Sequence, residues 1–281
     1  MTVVIAGCGD VGTEAGLRFA AAGLRVLGLR RSPQRLPAQI EGQAVDLSRQ
    51  KPRVPADTEI VVFGLAADRR TGDAYRSAYV DALGNTLDAL ADGGARPQSV
   101  LFVSSTAVYG VDDGSWVDEV TPAVPASRTG IVLREAEDAL HQRLPHAIVL
   151  RLGGIYGPGR TKLVDQVRAG TAVVPEMPRH TNRIHRDDAA AAIVHLTTMR
   201  ADSEPVYLGV DQRPAERGEI IRFLADEMRG PRPPIGTTLP TRGGNKRCCN
   251  HRLSATGFEF TFPSYREGYR AVLAGDGIRH P

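Results

Sequence analysis

Gly7-Cys8-Gly9-Asp10-Val11-Gly12 is a G-x-G-x-x-G run that directly follows the apolar stretch Val3-Val4-Ile5-Ala6 and opens a helix-patterned segment. In that setting the three glycines do different things. The first permits a tight turn, the second lets a pyrophosphate approach the backbone, and the third lets helix and strand pack closely. Asp10 and Val11 then stand at a helix start whose free N–H groups and partial positive charge suit a phosphate. The spacing predicts dinucleotide binding. The next apolar stretch ends in Arg30-Arg31-Ser32, where a site selective for NAD carries an acidic residue for the ribose 2′-hydroxyl. Guanidinium groups there would form fork-shaped, charge-assisted hydrogen bonds to the 2′-phosphate of NADP, and the local sequence sets no acid beside them. NADP(H) is therefore the expected cofactor, with NAD(H) as the alternative and two exposed strand-end arginines as the purely structural reading.

Such a loop works only if a sheet holds it. Continuous apolar runs at 3–6, 25–29, 44–45, 59–63, 100–103 and 147–150 alternate with helix-patterned segments at 13–22, 73–92 and 130–143. Runs without in/out alternation are expected of strands covered by helices on both faces. The fold class predicted is α/β, a Rossmann-type doubly wound parallel sheet with a smaller C-terminal α/β lobe for substrate. Residues 1–153 are assigned to the dinucleotide domain and 154–281 to the small lobe, with 184–200 packing back onto the sheet. Within the small lobe the pattern gives helices at 163–169, 187–199 and 215–228, a strand at 206–208, a Pro/Gly-rich loop at 230–244 and a final helical stretch. Asp187-Asp188, ahead of four alanines, reads as an N-terminal helix cap.

Composition narrows the function classes. The 281 residues are 42% hydrophobic and 24% charged, an ordinary globular balance that leaves out disordered, collagen-like and coiled-coil chains. No apolar run approaches the roughly 18 residues of a membrane helix, so no membrane association is expected and the cytoplasm is the default location. Net charge is +3 without a basic block, which argues against a nucleic-acid partner. Cys8, Cys248 and Cys249 form neither a disulfide framework nor a zinc pattern, so no metal is assigned.

Several segments in the right order resemble the extended short-chain dehydrogenase/reductases, the group labelled NAD-dependent epimerase/dehydratase, in an atypical form. The carriers are Gly7 to Gly12, Asp46-Leu47, Gly64-Leu65-Ala66-Ala67, Val103 to Gly110 with Ser104-Ser105-Thr106 and Tyr109, Arg151 through Gly159, and Ile184 to Asp188. The resemblance implies Asp46 and Leu47 near the adenine, Leu65 and Ala66 beside the ribose after Gly64, and Leu152 to Ile155 near the nicotinamide, with Ser104 also at the cofactor. It implies a small-molecule substrate in the C-terminal lobe and, from the way helices pair in this superfamily, a homodimer.

The family's proton transfer uses a Tyr-x-x-x-Lys pair on the helix after the Ser-Ser segment, because a lysine ammonium and the positive nicotinamide lower the tyrosine pKa toward its working range. Here Thr129 falls in the tyrosine place and Leu133 in the lysine place. Only three lysines exist, and the residues four before Lys51, Lys162 and Lys246 are Leu47, Pro158 and Arg242, so the pair occurs nowhere. Tyr156 to Arg160 has the spacing but sits in a Pro/Gly loop. A second departure is Gly153-Gly154, where the family places an aromatic residue and an asparagine.

The expected function is an NAD(P)(H)-dependent oxidoreductase acting on a small carbonyl or hydroxyl compound, sugar-like and anionic ones included. Ser105 and Thr106 would polarise the oxygen, and Tyr109, Tyr156, His185 or water would deliver the proton. Tyr109 and His185 each also have a packing reading. Lys246-Arg247 reads as a solvated loop able to meet an anionic substrate. The alternative is an NADP(H)-binding sensor without redox turnover.

Overall fold

The computed structural model describes residues 1–199, 203–237 and 243–281. Among these, seven strands form one parallel sheet in the order Val206–Gly209, Ile148–Leu152, Ser99–Ser105, Thr58–Phe63, Thr2–Ala6, Arg25–Arg30, Glu41–Ala44. The apolar runs expected as strands all lie in or beside this sheet, and the third begins earlier, at Glu41, than its Ala44-Val45 core suggested. Val3, Val4 and Ile5 of the central strand are fully buried, because helices cover both faces.

Two clusters cover the faces of the sheet. On one face Ile5, Ala15 and Phe19 meet Ala189, Ile193 and Leu196 of the helix Arg186–Thr198, which packs on the sheet. On the other, Val4, Val61 and Phe102 meet Leu83 and Leu87 from the segment 72–92 and Ala136 and Leu140 from the helix Arg128–Arg143. The segment expected as one helix over 73–92 contains a π-helical stretch, Arg76–Asp81, between two α-helical pieces. Such a bulge widens the turn locally.

The strand Val206–Gly209 corrects the domain boundary. It pairs in parallel with Ile148–Leu152 at the sheet edge instead of belonging to the small lobe. Leu253 and Phe258 likewise join the sheet-face core. The remaining small-lobe core gathers Tyr156, Leu163, Val174, Ile220, Leu224, Tyr265 and Tyr269. Part of the 230–244 loop, residues 238–242, lies outside the described residues; the preceding part forms a short strand, Ile235–Gly236, beside Val174–Pro175. The helix Arg186–Thr198 is capped by His185, whose Nδ1 accepts from the Asp187 N–H at 3.3 Å. Asp188 instead accepts from the N–H groups of Thr261 and Phe262, both at 2.9 Å. The two aspartates therefore tie distant segments and neighbouring side chains, and the imidazole caps.

Candidate dinucleotide cleft and substrate edge

At the carboxyl ends of the central strands lies a cleft of about 850 Å³, lined by Gly7, Gly9, Arg30, Arg31, Asp46, Leu47, Gly64, Leu65 and Ala66 among others. This is the crevice where ligands of open α/β sheets bind. The three glycines differ in what requires them. Gly7 has φ +81°, and a Cβ there would sit 2.9 Å from both the Gly64 carbonyl oxygen and the Leu65 Cα. A Cβ on Gly12 would press on Ile5 at 3.1 Å, as the strand–helix contact demands. At Gly9 a Cβ would meet no protein atom nearer than the Gly7 carbonyl at 4.0 Å, and no side chain caps the helix Asp10–Ala21 that follows. Space and unspent N–H donors thus coincide at the position where a pyrophosphate would lie.

Asp10 is not free to meet a ligand. It accepts from Arg160 Nε at 2.7 Å, from Arg186 Nη1 at 2.8 Å and from the His280 N–H at 3.1 Å. Val11 packs against the sheet core. The segment Ile278–Pro281 crosses this helix start: Arg186 donates to the Ile278 carbonyl, Arg279 to Gly159, His280 meets Glu14, and Arg30 Nη1 reaches both the Cys8 and Pro281 carbonyls. Most of these bonds use backbone atoms, which leave no signature in a sequence.

The expectation of two unopposed arginines is corrected. Arg31 makes a bidentate pair with Asp68, 2.8 and 2.9 Å, brought in from the loop after the strand Thr58–Phe63. Asp46 adds a second acid near Arg31, its carboxyl held below the usual range mainly by the Ser48 hydroxyl. Arg35 and Arg69 also line the cleft, so bases outnumber acids there.

The residues proposed for proton transfer do not assemble. Ser105 ends the strand Ser99–Ser105 opposite Leu152, its hydroxyl accepting from the Ala107 N–H at 3.2 Å, and Thr106 is buried beside it. Both stand at the carboxyl end of that strand. The Tyr109 hydroxyl donates to the Asp118 carbonyl at 2.8 Å and accepts from Arg151 at 2.6 Å, with burial pushing its pKa up to about 12. Ser104 turns away from the cleft to donate to Glu137 at 2.6 Å. Glu137 is wholly buried and takes a two-pronged pair from Arg151, at 3.0 and 2.6 Å.

Tyr156 lies inside the small lobe against Tyr269, ring centroids 4.5 Å apart, and burial drives its pKa far up. Its supposed partner Arg160 goes to Asp10 instead. His185 stacks on Phe262 at 3.9 Å and burial pushes its pKa down to about 4, so it is a neutral cap at pH 7. Leu152 and Ile155 pack their side chains into the sheet core. Lys246 is buried, donating to the carbonyls of Tyr109 and Gly243 rather than facing solvent.

The place where the resemblance sets a lysine holds a packed leucine. Leu133 is 3% exposed and packs in a cluster with Val108, Tyr109, Val117, Leu208, Val210 and Cys248. Thr129 joins the helix cap, 3.3 Å from the Ser127 hydroxyl.

Asp211, which drew no attention as a sequence, follows the edge strand and is buried with Oδ2 unpartnered. Burial raises its pKa to about 8. A carboxyl whose folded pKa exceeds its unfolded value costs nothing below about pH 4 and progressively more as pH rises through 8. Asp211→Asn should therefore match the parent protein at pH 4 and exceed it in urea midpoint by a widening margin up to pH 9. A constant difference across that range would contradict the burial assignment.

Fold and cleft together define a dinucleotide-fold protein of the short-chain dehydrogenase/reductase superfamily, and the chain belongs to its NAD-dependent epimerase/dehydratase-like family. It is 30% identical over 280 residues to Protein YeeZ of Escherichia coli K12, an alignment spanning 93% of this chain and 96% of that protein. A Methylobacillus flagellatus structure, described provisionally as an NAD-dependent epimerase/dehydratase, is 38% identical with a TM-score of 0.81, covering 97% of both chains. The UDP-glucuronic acid 4-epimerase of Bacillus cereus, solved with UDP-glucuronic acid and NAD, shares the fold at 15% identity and a TM-score of 0.81, covering 98% of both chains. No family model matches the chain. Among the described residues no helix is long and apolar enough to cross a membrane.

Proposed function

We propose that the protein is an NADP(H)-dependent oxidoreductase or epimerase-like enzyme acting on a small hydroxyl or carbonyl compound without the Tyr/Lys pair. The observation that carries this reading is the contrast within the glycine loop: Gly7 and Gly12 are closed by protein, while Gly9 faces open space at a helix start. The adenosine half of the dinucleotide fits the cleft bordered by Asp46, Leu47, Leu65 and Ala66. A 2′-phosphate would draw on Arg30 and Arg31, displacing the exposed Arg31–Asp68 pair, which as a surface ion pair is worth at most about 1 kcal/mol. The bound nicotinamide would supply or accept the hydride. Ser105 and Thr106 then hold the reacting oxygen, and the proton comes from water or the substrate, since Tyr109, Tyr156 and His185 are committed elsewhere.

The packed leucine where the resemblance sets a lysine favours a second reading, a dinucleotide sensor without turnover. Calorimetric titration with NADPH and NADH, followed by mixing the complex with a carbonyl panel, tests both. NADPH is expected to bind at least about tenfold tighter than NADH, with Asp68→Asn widening the gap. Equal or tighter NADH binding refutes the NADP assignment. Loss of reduced-nicotinamide absorbance identifies the enzyme, and its persistence through the whole panel supports the sensor.

A further inference from the structure

Beyond the end of the strand Ile148–Leu152 the chain runs through Gly153 and Gly154 into a short pair of parallel strands, Gly154–Tyr156 and Arg183–His185. The register sets Arg183 beside Gly154, and Gly154, Tyr156, Arg183 and His185 share one face. Gly153 is needed by the fold, since a Cβ would lie 2.9 Å from the Asn182 carbonyl oxygen. Gly154 is different. It is exposed, and a Cβ there would meet only that same oxygen, at 3.4 Å.

Beside this bare floor stands Arg183, and Arg217, whose N–H donates to the Arg179 carbonyl at 2.8 Å, begins the neighbouring helix; among the described residues neither has a counter-charge. Arg183 Nη1 donates to the Tyr269 hydroxyl at 2.9 Å, while its Nε is buried with no partner. Arg217, half-buried, begins the helix Arg217–Glu227, whose N-terminus no side chain caps. Burial, and next the charge of Arg183, push its pKa down, so two guanidinium groups bear on one desolvated region. Both also act on the Tyr269 hydroxyl. Among the described residues no carboxylate lies within ion-pair distance of either arginine, whereas Arg179 nearby in sequence has Asp112. Asp211 packs close enough to feel Arg183 yet leaves Oδ2 unpaired, and near neutral pH it keeps its proton and can donate it in a hydrogen bond. Buried like charges brought together without an opposite charge are costly, and a bound anion removes that cost.

We propose that Arg183 and Arg217, with the Tyr269 hydroxyl, form a subsite for one compact anionic group of the substrate, a carboxylate or phosphate ester, seated over Gly154. This deepens the oxidoreductase reading and rests on it, since the Gly154 floor adjoins the sheet edge where Ser105 meets Leu152. A single anionic group, not an extended nucleoside diphosphate, matches one guanidinium that donates to the Tyr269 hydroxyl with a second whose charge reaches both.

The test titrates the full chain, saturated with its dinucleotide, with malonate and with methyl phosphate by calorimetry. At least one probe should bind, and Arg183→Met and Arg217→Met should each weaken it by roughly tenfold or more while dinucleotide affinity stays within about twofold. Arg183→Lys and Arg217→Lys, which keep the charge, should recover part of the loss, and Arg213→Met, exposed and paired with Glu219, should change nothing. Equal anion binding by parent and methionine variants overturns the subsite, as does failure of both probes to bind at about 10 mM. A roughly tenfold preference for UDP over both probes, lost in the same variants, overturns the compact class. Anion binding that persists in a protein with no dinucleotide affinity sinks the oxidoreductase reading and leaves the anion site standing.

Discussion

Glu137→Ala is expected to lower the free energy of unfolding by about 3–5 kcal/mol, a large share of the roughly 5–15 kcal/mol that holds a typical domain together. The cause is local and specific. Glu137 has no exposure and neutralises Arg151, itself buried in the strand Ile148–Leu152, through two hydrogen bonds. Removing the carboxylate strands a guanidinium inside the protein and leaves the Ser104 hydroxyl without an acceptor. Replacing the pair with apolar residues, Glu137→Leu with Arg151→Met, should recover most of that loss, because the expense lies in the uncompensated charge and not in the absence of a bond. Urea unfolding followed by circular dichroism reads both; a single-variant loss below about 1 kcal/mol would contradict the buried-pair account.

The second large effect separates folding from binding. Gly9→Ala should unfold within about 0.5 kcal/mol of the parent protein, because the new methyl meets no protein atom nearer than the Gly7 carbonyl at 4.0 Å and the local φ of −93° suits alanine. Dinucleotide affinity should nonetheless fall about 100-fold, since that methyl occupies the approach of the pyrophosphate. Gly7→Ala should instead damage both, with φ +81° and a backbone clash against Gly64 and Leu65. Undiminished binding by Gly9→Ala would show that no pyrophosphate lies against the loop.

The sheet was legible because its strands are continuous apolar runs such as Ile60 to Phe63, and the loop because three glycines follow one of them. Position in the sheet was not: Val206-Tyr207-Leu208 reads the same whether it joins a small lobe or an edge, since pairing partners are set by distant backbone. Tyr109 and Tyr156 carried plausible chemistry as residue types, and burial took it away. Asp211, Arg183 and Arg217 were overlooked for the opposite reason, because their significance lies in partners they lack. Thr129 and Leu133 stand where the resemblance sets the pair, and only packing reveals that Leu133 is buried in a cluster there.

The edge strand Val206–Gly209 closes the sheet only after the chain has travelled through Tyr156, Leu163 and Val174 of the other core and returned. A cut placed near residue 154 would therefore strip the sheet of its outermost ladder and of the helix Arg186–Thr198, baring Ile5 and Phe19 to water. The two lobes are in that sense not modules exchangeable at one junction, and heating is expected to unfold them in a single transition.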